Sequence, residues 1–213
     1  MHPSNRKKHW ENIYSTKQPN EVSWTQEIPQ TSLDFIHAAK LDRQAHIIDI
    51  GGGDSKLADF LLDEGFENIS VLDVSEEALA RATKRLGEKA ARITWIVSDI
   101  TDFEPMQTYD FWHDRAAFHF LTTEQQIAKY LSTMRKAVKE NGTVTIGTFS
   151  KSGPKQCSGL AVKQYSEKTL TGELENGFEK IKCITEDHTT PFGTTQNFLF
   201  CSFKRKILAM QND

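Results

Sequence analysis

Five short β-rich apolar runs, at residues 46–50, 69–74, 93–100, 109–114 and 143–149, alternate with segments patterned as helices. This alternation constrains the chain more than any other feature, because parallel neighbours need crossovers long enough to hold a helix. Ser75 stands as an N-cap before Glu76 and Glu77, and Ala78, Leu79, Ala82 and Leu86 then recur at helical spacing. Thr123 to Gln126 has capping-box form. Ile127, Tyr130, Leu131, Met134 and Val138 continue it as an apolar stripe that Asn141 and Gly142 are expected to end. Leu57, Ala58, Leu61 and Leu62 repeat the helical pattern after a glycine cluster. Beyond residue 149 two β-like runs, 178–185 and 197–206, are joined only by a loop containing Pro191 and Gly193. No crossover helix fits there, so these runs should pair antiparallel. The reading is one α/β domain of doubly wound type, a mixed sheet of five parallel strands closed by an antiparallel hairpin.

Charge and composition exclude several classes of function. The 26 Lys and Arg face 29 Asp and Glu, a net charge of −3. No broad positive field exists to grip nucleic acid, and none is expected as a partner. No apolar run approaches the roughly 18 residues of a membrane span, so no membrane partner is expected either. Residues 1–10 are basic but lack the apolar stretch of a secretory signal; they read as a frayed, solvated start of a cytoplasmic protein. Cys157, Cys183 and Cys201 form no C-x-x-C, which supports neither a disulfide framework nor a metal site. In a hairpin centred near Phe192, Cys183 and Cys201 face each other and are expected to be reduced packing residues.

The cluster Asp49-Ile50-Gly51-Gly52-Gly53-Asp54-Ser55 leads from the first strand into a turn and a helix. Glycines there let backbone approach a ligand closely or adopt positive φ. The dinucleotide fingerprint G-x-G-x-x-G would need a glycine where Lys56 stands, and the phosphate loop is absent, so a nicotinamide cofactor fits poorly. Asp73 ends the second strand near the ~20-residue offset at which a carboxylate reaches a ribose diol. Asp99 ends the third, where it can accept from an exocyclic adenine amine. Ligands of such sheets bind outside the carboxyl ends of the strands, which is where these acids fall.

With these residues in place, the chain resembles the class I S-adenosylmethionine-dependent methyltransferases. Asp49, Gly51 and Gly53 look like their D-x-G-x-G-x-G loop, with Ser55 at the last glycine position. Asp73 with Val74 matches the ribose-binding acid, and Asp99-Ile100 the adenine-binding segment. The run Tyr109 to Arg115, with Asp114 in it, resembles the fourth-strand motif beside the methyl donor. The resemblance covers about residues 31–213. It implies a Rossmann-like seven-stranded sheet in the order 3-2-1-4-5-7-6 with strand 7 antiparallel, and S-adenosyl-L-methionine as cofactor. Residues 1–30, with His9-Trp10-Glu11-Asn12-Ile13-Tyr14 and then Trp24, are similar to the leading segment of a group of small bacterial methyltransferases, where it forms a lid. The large rings Trp10, Tyr14 and Trp24 suit exclusion of water from a sulfonium.

Methyl transfer needs alignment of two reactants and, when the nucleophile carries a proton, a base. The loops after the fourth to sixth strands offer His119, His188 and Cys157 as candidate catalytic groups. Arg115 either forks onto a substrate carboxylate or pairs with a nearby acid. The leading expectation is methylation of a small-molecule acceptor; the alternatives are a protein (lysine) methyltransferase and a non-catalytic S-adenosylmethionine-binding protein.

Overall fold

The structure, a computed structural model, describes residues 3–207. The expectation for Met1 and His2 lies outside the described residues. Six helices, α1 (Pro3–Thr16), α2 (Gln30–Ala38), α3 (Leu57–Asp63), α4 (Glu76–Leu86), α5 (Glu124–Ala137) and α6 (Glu167–Leu174), are described. Interleaved with them are β1 (His46–Ile50), β2 (Asn68–Asp73), β3 (Ile93–Val97), β4 (Tyr109–Arg115) and β5 (Val138–Phe149). A two-residue pair, β6 (Gln156–Cys157) and β7 (Leu160–Ala161), precedes the long strands β8 (Phe178–Thr189) and β9 (Thr195–Arg205). The seven-stranded sheet runs β3-β2-β1-β4-β5-β9-β8, with β9 antiparallel to both β5 and β8. With the small β6-β7 hairpin set aside, this is the expected order 3-2-1-4-5-7-6. No helix among the described residues is long and apolar enough to cross a membrane.

Alternation along β1 shows why both faces of the sheet are covered. Ile47 packs with Leu33 and Ile36 of α2 and with Leu57 and Leu61 of α3. Its neighbours Ile48 and Ile50 instead join Ile127, Tyr130 and Met134 of α5 on the other face. Successive strand side chains point to opposite faces, so an unbroken apolar run is what a doubly covered strand requires. The same period sorts the polar strand ends. Asp49 and His113, in register on β1 and β4, lie on the α2 face.

Local capping follows the sequence. Ser75 Oγ accepts from the Ala78 amide at the start of α4, and Thr123 and Gln126 close a capping box on α5. Three features differ from expectation. Helix α5 stops at Ala137, short of Asn141, because Val138 is already extended and pairs with Tyr109 of β4. Asn141 and Gly142 then shape a bend inside β5, with Asn141 at φ +59°. The basic N-terminus is no frayed start: α1 is anchored, since Arg6 Nη1 lies 3.2 Å from Asp99 Oδ1 and is buried. Glu11 also accepts from Ser75 Oγ and from the amides of Glu76 and Glu77, compensating the orphan donors at the N-terminus of α4. Finally, Cys183 and Cys201 are opposite as expected but form a disulfide rather than a reduced pair. Direct cross-strand register brings the two sulfurs within bonding distance.

Candidate functional site

A cavity of about 390 Å³ opens at the carboxyl ends of β1, β2 and β4, roofed by α1 and the segment that follows it. At one end stand the glycine turn, Asp73 and Asp99. Gly51 and Gly53 have φ of +65° and +50°, and a Cβ at Gly53 would fall 2.6 Å from the Tyr14 hydroxyl. Both the conformation and the close approach of α1 therefore require glycine.

Asp73 is 6% exposed, and its Oδ1 accepts from the Ser75 amide at 2.8 Å. Burial pushes its carboxyl up to about 7, with Asp49 and Asp54 adding repulsion and backbone amides opposing the rise. No cation pairs with it among the described residues. A buried carboxylate in that condition fits a ligand that brings two hydroxyl donors. Asp99 Oδ1 is occupied by Arg6, the Thr101 amide and the Thr101 hydroxyl. Its Oδ2 is buried and unpartnered, as an acceptor awaiting an amine would be. Val74 and Ile100 line the same end, and Trp24 lines the roof. Trp24 meets Trp10 edge-to-face at 5.6 Å, and Trp10 meets Phe120 at 5.1 Å.

Between the two ends runs a hydrogen-bonded chain that sequence reasoning missed. His113 Nδ1 lies 2.6 Å from Asp49 Oδ1 and His113 Nε2 lies 2.9 Å from Ser32 Oγ. All three side chains are buried and line the cavity. A carboxylate can only accept, so Nδ1 carries a proton toward Asp49; in the neutral ring Nε2 is then the acceptor and the Ser32 hydroxyl the donor. Period-2 alternation along Phe111, His113 and Arg115 was the available signal for His113. Ser32 had none, because its partner lies far along the chain.

The expected catalytic groups fare differently. His119 is fully buried away from the cavity, and its Nδ1 accepts from the Phe149 amide at 3.2 Å. Burial, with Arg115 nearby, pulls it down to about 3. It packs at 4.5 Å from the Phe149 ring and serves the core rather than the reaction. His188 Nε2 donates to the Ser23 carbonyl at 2.7 Å and fastens the roof to β8. Cys157 does line the cavity, but burial pushes its thiol up to about 11, so it stays protonated at neutral pH. Asp114 is turned to the α5 face. Its oxygens accept from the amides of Ala117 and Phe118 and from the Tyr130 hydroxyl, which commits it to the core and not to a ligand.

The sheet order, the glycine turn and the acids at the ends of β2 and β3 match what the resemblance to class I methyltransferases implies for the fold and its strand ends. Residues 47–142 match the family profile described as a methyltransferase domain. The fold is shared with an S-adenosylmethionine-dependent methyltransferase from Anabaena variabilis (TM-score 0.75, 16% identity, covering 96% of this chain and 95% of that one). It is also shared with the 1,6-didemethyltoxoflavin-N1-methyltransferase of Burkholderia thailandensis (TM-score 0.67, 16% identity, 96% and 85%). Among curated proteins, the N-terminal Xaa-Pro-Lys N-methyltransferase 1 of Rattus norvegicus is 30% identical over 102 residues, 46% of this chain and 45% of that protein. The chain thus spans about half the length of the curated relatives it matches.

Proposed function

We propose that this protein is an S-adenosylmethionine-dependent methyltransferase acting on a small molecule, with residues 1–30 as the lid of the cavity and residues 31–213 as the catalytic domain. The observation that carries the reading is the pair of acids at successive strand ends beside a glycine turn, buried Asp73 without a cation among the described residues and Asp99 with its buried Oδ2 unpartnered. S-adenosylmethionine, when bound, supplies a methyl group on a positively charged sulfur. Asp73 accepts from the ribose diol, Asp99 from the adenine amine, and the backbone at Gly51 and Gly53 admits the ligand closely. Trp10 and Trp24 exclude water from the reacting centre. His113, held by Asp49, takes the acceptor's proton through Ser32, whose Oγ receives it while passing the hydroxyl proton to Nε2. A small acceptor is favoured over a protein chain because α1 and the following segment roof the cavity with the protein's own residues.

The test has two arms. Calorimetric titration with S-adenosylhomocysteine should give saturable binding in the micromolar range, about −8 kcal/mol; an absence of heat across that range refutes the cofactor. A panel of small acceptors and of peptides beginning Xaa-Pro-Lys, offered with a labelled methyl donor, should label small molecules. Labelling of the peptides alone would transfer the assignment to protein methylation.

A further inference from the structure

Arg115 closes the end of the cavity opposite Asp99, and two of its donors have no hydrogen-bond partner among the described residues. Its Nη1 donates to the Trp24 carbonyl at 3.0 Å, and the guanidinium lies 4.8 Å from the centre of the Phe198 ring. Nε and Nη2 are shielded from solvent and have no hydrogen-bond partner. The neighbouring negative charges are Glu186 and Asp49, and neither forms an ion pair with Arg115 among the described residues. Asp49 is committed to His113, while Cys157, His119 and His188 around the guanidinium are held neutral by burial. Burial lowers Arg115 only to about 10, so it is a cation at neutral pH. A shielded guanidinium with two unpartnered donors is costly, whereas a carboxylate matches two adjacent N–H donors in one plane. The walls beside it, Trp10, Trp24, Phe120 and Leu121, are apolar.

We propose that the acceptor is a small organic acid whose carboxylate docks on Nε and Nη2 of Arg115 and whose flat apolar body lies against Trp10, Trp24 and Phe120. This rests on the methyltransferase reading and names the substrate class of the same cavity. The carboxylate is the anchor: with its lone pairs engaged by the guanidinium, the attacking atom is another group on the molecule.

The experiment uses the full chain saturated with S-adenosylhomocysteine. Benzoate and indole-3-acetate are titrated calorimetrically against benzamide and indole-3-acetamide, in the wild type, Arg115→Leu and Arg115→Lys. The acids should bind at least about tenfold tighter than their amides to the wild type. Arg115→Leu should abolish that preference and Arg115→Lys should keep part of it, with S-adenosylhomocysteine affinity within about threefold in both. If Arg115→Leu does not fold, Arg115→Lys carries the comparison through a reduced acid preference. Equal binding of acids and amides, or binding of none of the four, overturns the proposal. So does a tenfold loss of S-adenosylhomocysteine affinity in Arg115→Leu with 5′-methylthioadenosine unaffected, which would place the cofactor's own carboxylate on Arg115. Failure of the wild type to bind S-adenosylhomocysteine would instead overturn the methyltransferase reading beneath it.

Discussion

Replacing Asp73 by Asn should stabilise the empty protein while weakening its hold on the nucleoside. Burial raises the Asp73 carboxyl from 3.8 to about 7. Because the folded value lies above the unfolded one, the native state keeps its proton where the unfolded chain has lost it. The contribution of Asp73 to stability is therefore most favourable below about pH 4, declines between pH 4 and 7, and stays reduced above that window. At pH 8 the ionised carboxylate costs about 4 kcal/mol on this basis, at about 1.4 kcal/mol per unit. The amide removes the charge and keeps an oxygen for the Ser75 amide, but loses the oxygen that faces Gly53, about 1 kcal/mol. A net gain of about 3 kcal/mol at pH 8 corresponds to a rise of about 6–12 °C in Tm for a chain of this size. Binding moves the other way. An amide nitrogen cannot accept from a ribose hydroxyl, and loss of one charge-assisted hydrogen bond, about 1.5–3 kcal/mol, weakens S-adenosylhomocysteine by roughly 10- to 150-fold. Wild-type affinity should also fall as pH drops below about 7, a dependence the variant lacks. Thermal melts and calorimetry from pH 5 to 8 read both effects. A variant no more stable than wild type at pH 8, with unchanged affinity, would refute the account of Asp73.

Asp114→Ala frees the amides of Ala117 and Phe118 and leaves the Tyr130 hydroxyl without its acceptor, and should cost about 2–4 kcal/mol in chemical denaturation while leaving S-adenosylhomocysteine affinity nearly unchanged. His119 sits below its ordinary value in the fold, so the unfolded chain takes up its proton first and stability falls as pH drops from 6.5 toward 3. His119→Asn should flatten that acid limb of the pH–stability curve and leave turnover intact. Reducing the Cys183–Cys201 bridge, which spans 18 residues of sequence, should lower stability by about 3 kcal/mol, read as a Tm difference with and without reductant once thiol alkylation confirms the bond.

The strand-and-helix alternation, the antiparallel closing hairpin and the acids at the ends of β2 and β3 were legible in the chain. Each is local: a two-residue or 3.6-residue period, a connection too short for a helix, a carboxylate at the last residue of a run. Cys183 and Cys201 were placed opposite for the same reason, since register follows from counting along a hairpin. What counting could not supply was how far partners distant in sequence would satisfy each group. His119 and His188 looked free until the Phe149 amide and the Ser23 carbonyl, contributed by other segments, engaged them. Asp114 looked like a ligand group until the pleat of β4 turned it toward Tyr130 of α5. His113 became a site residue only where β1 and α2 brought Asp49 and Ser32 to its two nitrogens, and Arg115 kept two free donors only where packing left Glu186 beyond hydrogen-bond reach of them. Secondary structure answers to nearest neighbours, so a sequence can declare it. The state of a buried polar side chain depends on desolvation and on contacts from remote segments, and those exist only once the layers have packed.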